Sequence, residues 1–461
     1  MTNKNPLLVP ELRGMLAAGD TKALQDFCES GHPATIAELI SPLEALEAWA
    51  VLCQAESSLR ADIFGHLDIE IQAAILETLR RNEIARLMTA MPHDERADLF
   101  KSLPEDRRAA VLPALAQAER EDIRRLIAYE EGTAGSVMTS DYATLTPGLT
   151  AQQAVERLRE VAPDKETIYY AYVVDDDRKL LGFVSLKDLI VARREDRVGD
   201  IMHPEVIFVR VDDDQEEAAR TIQKFDLLAL PVLNGGDALV GIITHDDALD
   251  IITQEHTEDM EKFMAIAGSH EDAVYMKTSV WQHFRNRSPW IIALALLGLV
   301  SGFIVQNFEG LLMQFTVLAA FMPMLADTGG NTGSQSATLV VRALALNEVS
   351  TKDILRILSR EFRVALLLAL LLGAIAFARV LFVGGGSTLP GHYSLTRLGI
   401  AISFALGLQV VTSTLIGVLL PLGAAKMKWD PAVVASPALT TIVDITGLLI
   451  YFSTAKLFLG I

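Results

Sequence analysis

Five apolar stretches crowd the last third of this 461-residue chain: Trp290 to Val305, Leu311 to Leu346, Val364 to Val383, Leu398 to Leu422 and Val433 to Leu459. About 20 mostly apolar residues cross a bilayer as one helix, and these stretches fit, the first once its flanks are joined. Five membrane-spanning helices are therefore expected. The connecting charges orient them. Arg285 and Arg287 precede the first stretch, Lys352, Arg356, Arg360 and Arg363 crowd the second connection, and Lys426 and Lys428 mark the fourth. The first connection, QNFEG, holds no base, and the third has only Arg379 and Arg397 at its edges. By the positive-inside rule the N-terminus is cytoplasmic and the C-terminus outside. The start, MTNKNPLLVPELRG, lacks the charged head and apolar core of a signal peptide, which keeps the first half of the chain in the cytoplasm.

That first half has the opposite character. Of 59 acidic and 40 basic side chains, 52 and 30 lie in residues 1–289, a net charge of −22 there. No basic stripe for phosphate accompanies this, so nucleic acid is excluded as a partner, and the acidic surface attracts cations instead. Cys28 and Cys53 have no metal-type spacing and read as free thiols.

Two places in the apolar half break its character. One is ADTGGNTGSQSAT, residues 326–338, where Asp327, Asn331, Thr332, Ser334 and Gln335 need polar partners while Pro323, Gly329, Gly330 and Gly333 loosen the helix. The other is Asp444, deep in the last stretch within SPALTTIVDITG. A carboxylate at mid-bilayer costs at least ~2.5 kcal/mol and normally faces a protein interior or a watery path. Packing glycines and a buried, hydrogen-bonded Asp would also account for these features; the two breaks together favour a hydrophilic path. Carboxylate, amide, hydroxyl and backbone oxygens, without thiol or imidazole, suit a hard cation, and His392 in a predicted outer loop is the only histidine after Pro289. Mg²⁺ keeps much of its water, so its site would hold a hydrated ion. A symmetric dimer would bring two Asp444 carboxylates to one axis.

Residues 137–255 contain a repeat of roughly 60 residues. SVMTSDYATLTPGLTAQQAVERL aligns with DIMHPEVIFVRVDDDQEEAARTI, and YAYVVDDDRKLLGFVSLKDLI with ALPVLNGGDALVGIITHDDAL. Each copy reads strand, helix, strand, turn, strand, helix. The pair resembles CBS domains, which often bind adenine nucleotides. That resemblance places the ribose- and phosphate-binding positions at Gly182, Ser185 and Asp188 and at Gly241, Thr244 and Asp247. Ser185/Asp188 and Thr244/Asp247 are equally ordinary capping boxes.

Residues 10–130 read as short amphipathic helices, and the echo between AMPHDERADLFKSL and SLPEDRRAAVLPAL suggests a helical solenoid. Most of its acids read as solvated faces. Acids concentrate instead on the second CBS copy and its exit: Asp214, Glu216, Asp226, Asp246, Asp247, Asp250, Glu255, Glu258 and Asp259. Packing such a surface against another acidic domain is repulsive unless divalent cations intervene. A helical connector ending in Trp281, Phe284, Arg285 and Arg287 is the covalent route to the apolar half.

The order of these parts, with TGGNTGSQSATLVVRALA and DPAVVASPALTTIVDITGLLIYFSTA, resembles the MgtE family of magnesium channels and transporters along nearly the whole chain. The resemblance implies a multidomain homodimer: a superhelical α-helical N domain (1–134), an α/β CBS-domain pair (135–255), a connecting "plug" helix (256–288) and a polytopic α-helical membrane domain of five spans (289–461) in the cytoplasmic membrane. It implies a Mg²⁺ pore lined by the second and fifth spans, with Asp444 as the selective carboxylate, a GGN turn at Gly329, Gly330 and Asn331, and Ser436 at the entrance, where some relatives carry an amide or glycine. It further implies closure by cytosolic Mg²⁺ among the interfacial acids, modulated by ATP on the CBS pair. An intramembrane metalloprotease with CBS domains would need His-Glu-x-x-His in a span, and no span holds a histidine. A CBS-regulated carrier or sensor for Co²⁺, Mn²⁺ or Zn²⁺ is the alternative.

Overall fold

The computed structural model describes residues 8–266, 278–346, 348–383, 394–431 and 437–460. They form two units, Met1–Glu255 and His256–Ile461.

The first unit begins with ten α-helices among the described residues: α1 (Val9–Ala18), α2 (Thr21–Glu29), α3 (Pro33–Ile40), α4 (Ala45–Leu52), α5 (Ser57–Gly65), α6 (Ile69–Thr78), α7 (Arg81–Ala90), α8 (His93–Ser102), α9 (Glu105–Val111) and α10 (Gln117–Leu126). Their starts are locally encoded. Asp20 caps α2 by accepting from the Ala23 N–H at 3.1 Å, and Pro92 and Pro104 open α8 and α9 with acids in the first turn, where the helix dipole favours them. Alternate helices stack, α3 on α5 on α7 on α9 in one row and α2 on α4 on α6 in the other. This is a solenoid arrangement, with Ile36, Leu52, Phe64, Ile75, Ile84 and Met88 in a continuous core.

Two three-stranded sheets follow. The first holds β1 (Tyr142–Leu145), β2 (Thr167–Val174) and β3 (Leu180–Ser185), and the second β4 (Val209–Arg210), β5 (Ala229–Leu233) and β6 (Leu239–Thr244). In each the first pair is parallel and the second an antiparallel hairpin. The parallel crossovers are α11 (Ala151–Val161) and α14 (Gln215–Phe225); α12 (Leu186–Val191) and α13 (Val198–Ile201) link the copies, and α15 (His245–Phe263) follows the second. The repeat read from the sequence is thus two copies of one topology. Tyr142, Tyr172, Ala229, Leu233 and Ile242 share one core between the copies, and the Tyr142 hydroxyl donates to the Leu239 carbonyl at 2.9 Å.

The second unit consists of long helices: α16 (Val280–Asn307), the short α17 (Glu309–Gln314), α18 (Thr316–Ala345), α19 (Ile354–Val383), α20 (Leu395–Lys426) and α21 (Pro437–Leu459). Among the described residues four segments are long and apolar enough to cross a membrane: Val280–Asn307, Thr351–Phe382, Leu395–Lys426 and Ala438–Leu459. Helix α18 has the length, with 30 residues, but its polar insert keeps it below that apolarity. The insert does not unwind it. The turn expected at Gly329, Gly330 and Asn331 is regular helix, because Thr332 and Thr338 return their hydroxyls to the carbonyls of Thr328 and Ser334 at 2.9 and 2.8 Å and the glycines are filled by neighbouring helices instead of bending the backbone. The connector expectation also changes in detail. Helix α15 runs unbroken through residue 255, and Trp281, Phe284, Arg285 and Arg287 lie in the first turns of α16.

Candidate functional site

Helices α18, α20 and α21 pack together in the second unit. Their contact is close because glycines face it. A Cβ added to Gly330 would sit 3.0 Å from Thr440 Cγ2, and one on Gly333 3.1 Å from the Ser413 carbonyl oxygen. With these small residues turned inward, the opposite face of α18 carries Asp327, Asn331 and Gln335, one helical turn apart and all exposed. Asn331 Nδ2 donates to Asp327 Oδ1 at 3.2 Å, tying two turns of this stripe. On α21, Asp444 is half-buried, and no hydrogen bond or ion pair joins its carboxylate to another described residue. The sequence candidates Gly329, Gly330, Asn331 and Asp444 therefore lie on two packed helices, with the glycines as contact surfaces and the polar groups on accessible faces. Ser436 lies outside the described residues.

A second site lies within the first unit, where the solenoid meets the CBS pair. Ala97 and Leu126 of the solenoid share a core with Ala218, Ala219 and Ile222 of the second CBS copy. Beside this contact, His93 fastens the start of α8: its backbone N–H donates to Asp141 Oδ2 at 3.3 Å, and its Nδ1 lies 2.5 Å from Ser140 Oγ and 3.0 Å from Asp122 Oδ2. The next two residues, Asp94 and Glu95, are brought into an acidic cleft with Glu166 and Asp247. Burial pushes the Asp94 carboxyl well above the usual range, and Asp247 and Glu166 push it further. Asp94 Oδ1 is buried without a hydrogen-bond partner among the described residues. Burial, then the charges of Asp247 and Asp246, raises Glu166 to about 7; burial, then Glu166 and Asp62, raises Glu95 to about 7. Burial also raises Asp247, whose Oδ2 accepts from Thr244 Oγ1 at 2.5 Å. Glu95 and Glu166 keep solvent contact, so the cleft is open to ions. Among the described residues no three His, Cys, Asp or Glu side chains converge as a direct metal cage. The donor set instead fits a divalent ion that keeps several waters and touches one or two carboxylates.

The other acids marked in the sequence are more dispersed. Asp214 caps α14 by accepting from the Glu216 N–H at 2.8 Å, and Glu216 pairs with Arg220. Asp226 occupies a left-handed position, φ 51°, at the end of α14. Asp246, Asp247 and Asp250 lie in the first two turns of α15, and Glu255 accepts from Gln215 Nε2 at 2.7 Å. Asp259 lies on the last turns of α15, where Glu258 pairs with Lys262 at 2.7 Å and Lys262 reaches Asp430 at 3.3 Å. Beside it Phe263 packs with Val341 against Ala337, Leu439 and Val443, on the two helices that carry the polar breaks. Of the nine acids, only Asp247 is drawn into the cleft as one of its four principal groups. Asp94 and Glu95 lie in the solenoid echo AMPHDERADLFKSL, but nothing in their local pattern separates them from solvated first-turn acids. The nucleotide candidates form capping boxes: Ser185 Oγ donates to Asp188 Oδ2 at 2.5 Å while its N–H donates to the same oxygen at 3.0 Å, and Thr244 and Asp247 repeat the hydroxyl bond.

A helical solenoid, a CBS pair and a helical membrane unit with polar faces define a regulated membrane transport protein for cations. Residues 322–454 match the MgtE divalent cation transporter family, residues 31–132 the MgtE intracellular N domain, and residues 134–195 and 198–254 the CBS domain. The magnesium transporter MgtE of Thermus thermophilus is 37% identical over 98% of this chain and 98% of its own; that of Bacillus subtilis is 36% identical over 86% and 85%. The crystal structure of the soluble part of a magnesium transporter superposes on 53% of this chain and 97% of its own, at 31% identity and a TM-score of 0.51. The chain belongs to the MgtE family, a family of transporters and not of enzymes.

Proposed function

We propose that the chain carries Mg²⁺ inward across the cytoplasmic membrane as a channel-like homodimer, with the N-terminus inside and the C-terminus outside, and that cytosolic Mg²⁺ closes it. The observation that carries this reading is the outward polar stripe of α18, Asp327, Asn331 and Gln335, on a 30-residue helix between membrane-length neighbours. Such a stripe does not face lipid without a cost of several kcal/mol. Counting α18 as the fifth span leaves an odd number of crossings and sends the C-terminus outside, in line with the basic connections. A second copy meeting this face encloses the stripe and brings two Asp444 carboxylates toward one axis, giving a hydrated dication charge without stripping its water. The acidic cleft is the closing device: Mg²⁺ between Asp94, Glu95, Glu166 and Asp247 holds the solenoid on the CBS pair. Asp214, Glu216, Asp226, Asp246, Asp250, Glu255, Glu258 and Asp259 add field around it. ATP modulates closure through Ser185/Asp188 and Thr244/Asp247, the last shared with the cleft.

The test is Mg²⁺ flux into proteoliposomes with Mg²⁺ clamped on the cytosolic side. Flux should fall as that concentration enters the millimolar range. Flux of Co²⁺, Mn²⁺ or Zn²⁺ without Mg²⁺ flux would favour the alternative carrier, and flux indifferent to cytosolic Mg²⁺ would contradict the closing role.

A further inference from the structure

Helix α20 carries a side chain whose placement the pore reading leaves unused. Gln409 is 0% exposed, and its amide is wedged between α18 and α21. A Cβ on Gly329 would lie 2.3 Å from Gln409 Nε2; a Cβ on Gly447 would lie 2.3 Å from Nε2 and 2.6 Å from Cδ. Only glycine at both positions admits the amide. Its Nε2 donates to the Val443 carbonyl at 3.1 Å, one residue before Asp444, and that carbonyl also accepts from Thr446 Oγ1 at 3.1 Å. Along the same face of α20, at intervals of four residues, come Ser413 and Gly417, and a Cβ on Gly417 would lie 2.3 Å from the Gly333 carbonyl oxygen. In this row of α20, Gln409 is thus followed by the small residues Ser413 and Gly417.

The amide is an expensive way to fill this space. Its Oε1 is buried without a partner among the described residues, and a buried amide oxygen left unpaired costs free energy that a leucine of similar size would not incur. What leucine would lack is the N–H donor to the turn that bears Asp444.

We infer that Gln409 is a positioning residue for the cation path: keyed between Gly329 and Gly447 and bonded to the Val443 carbonyl, it fixes the Asp444 turn of α21 against the Gly329–Asn331 turn of α18. The inference rests on the pore reading above. A hydrated Mg²⁺ is told from Ca²⁺, which accepts more ligands and sheds water more easily, by the spacing of the oxygens around it. Gln409 therefore acts on selectivity, through Asp444, without touching the ion.

The experiment measures Mg²⁺ and Ca²⁺ fluxes separately in proteoliposomes holding the full chain, for the wild type, Asp444→Ala, Gln409→Leu, Gly447→Ala and the double variant Gly447→Ala/Gln409→Ala. Gln409→Leu should lower the Mg²⁺/Ca²⁺ flux ratio about tenfold, the factor that one net hydrogen bond corresponds to. Loss of folded protein alone would lower both fluxes and leave their ratio in place. Gly447→Ala should also lower the ratio, by pushing the amide off the Val443 carbonyl, and the double variant should lower it no further than Gly447→Ala alone, because both changes remove the same hydrogen bond. Should Gln409→Leu fail to fold, the Gly447→Ala pair decides. A wild-type ratio in Gln409→Leu, or additive losses in the double variant, overturns the inference while Asp444→Ala still abolishes flux. A wild type that carries no Mg²⁺ overturns the pore reading and this inference with it.

Discussion

Neutralising the acidic cleft should make the protein more stable without Mg²⁺ and less responsive to it. The perturbation is Asp94→Asn/Glu166→Gln/Asp247→Asn. Raising the Glu166 carboxyl from 4.5 to about 7 corresponds to about 3 kcal/mol in a dry site; because Glu166 keeps solvent contact, screening leaves roughly 1 kcal/mol. Asp94 and Asp247 are raised in the same direction and are coupled to it, so neutralising all three relieves the repulsion together. The sign follows from proton binding. An acid held above its usual value keeps a proton in the folded state that the unfolded chain has released. Stability is then greatest at or below about pH 4.5, where both states are protonated, and falls as pH rises toward about 7, where the folded carboxyls ionise against one another. Mg²⁺ acts in the opposite direction, since it binds the ionised cleft. At a hundredfold excess over its dissociation constant it contributes about 2.7 kcal/mol. The assay is thermal unfolding of the full-length protein with Mg²⁺ titrated at pH 6 and pH 8. The wild type should gain more from Mg²⁺ at pH 8 than at pH 6, and the variant should begin higher and gain little at either. A variant that begins lower than the wild type, or shifts with Mg²⁺ by the same amount, would refute the reasoning.

Two further predictions concern the membrane unit. A cysteine placed beside Ile461 should react with an impermeant label from outside the cell and one beside Thr2 should not; the reverse pattern would overturn the orientation. Gly417→Ala should lower stability by about 1–3 kcal/mol, because its Cβ would meet the backbone carbonyl of Gly333 at 2.3 Å. That is read as a lower unfolding temperature of the purified protein, and an unchanged one would show that α18 and α20 separate freely.

The architecture was legible wherever the chain repeats or excludes water. The CBS copies declare themselves by alternating apolar residues and hairpin signals, and the solenoid by Pro followed by first-turn acids. Most of the membrane helices follow from apolar length alone. Helix α18 is legible as an exception, but its conformation is not: the resemblance implies a turn at Gly329, Gly330 and Asn331, whereas Gly329, Gly330 and Gly333 here receive the side chains and backbone of α20 and α21 within a regular helix. That depends on the partner helices, which local sequence does not specify. The same limit hid the acidic cleft. Asp94 and Glu95 look like any acids that open a helix, and the burial of Asp94 Oδ1 and the crowding of both by other acids arise only when α8 docks beside Glu166 and Asp247, far along the chain. Gln409, inside the apolar run LGLQVVTS, gives no sign in sequence that its amide sits between two glycines from other helices.

The most direct test of the central claim, that a hydrated Mg²⁺ passes beside Asp444, compares Mg²⁺ flux in proteoliposomes for wild type and Asp444→Ala at low cytosolic-side Mg²⁺, with the assembly state of both checked by size. Removing the carboxylate should abolish flux while the variant assembles as the wild type does, because the group serves the ion and bonds to no described residue. Wild-type flux through a well-folded Asp444→Ala protein would contradict the account.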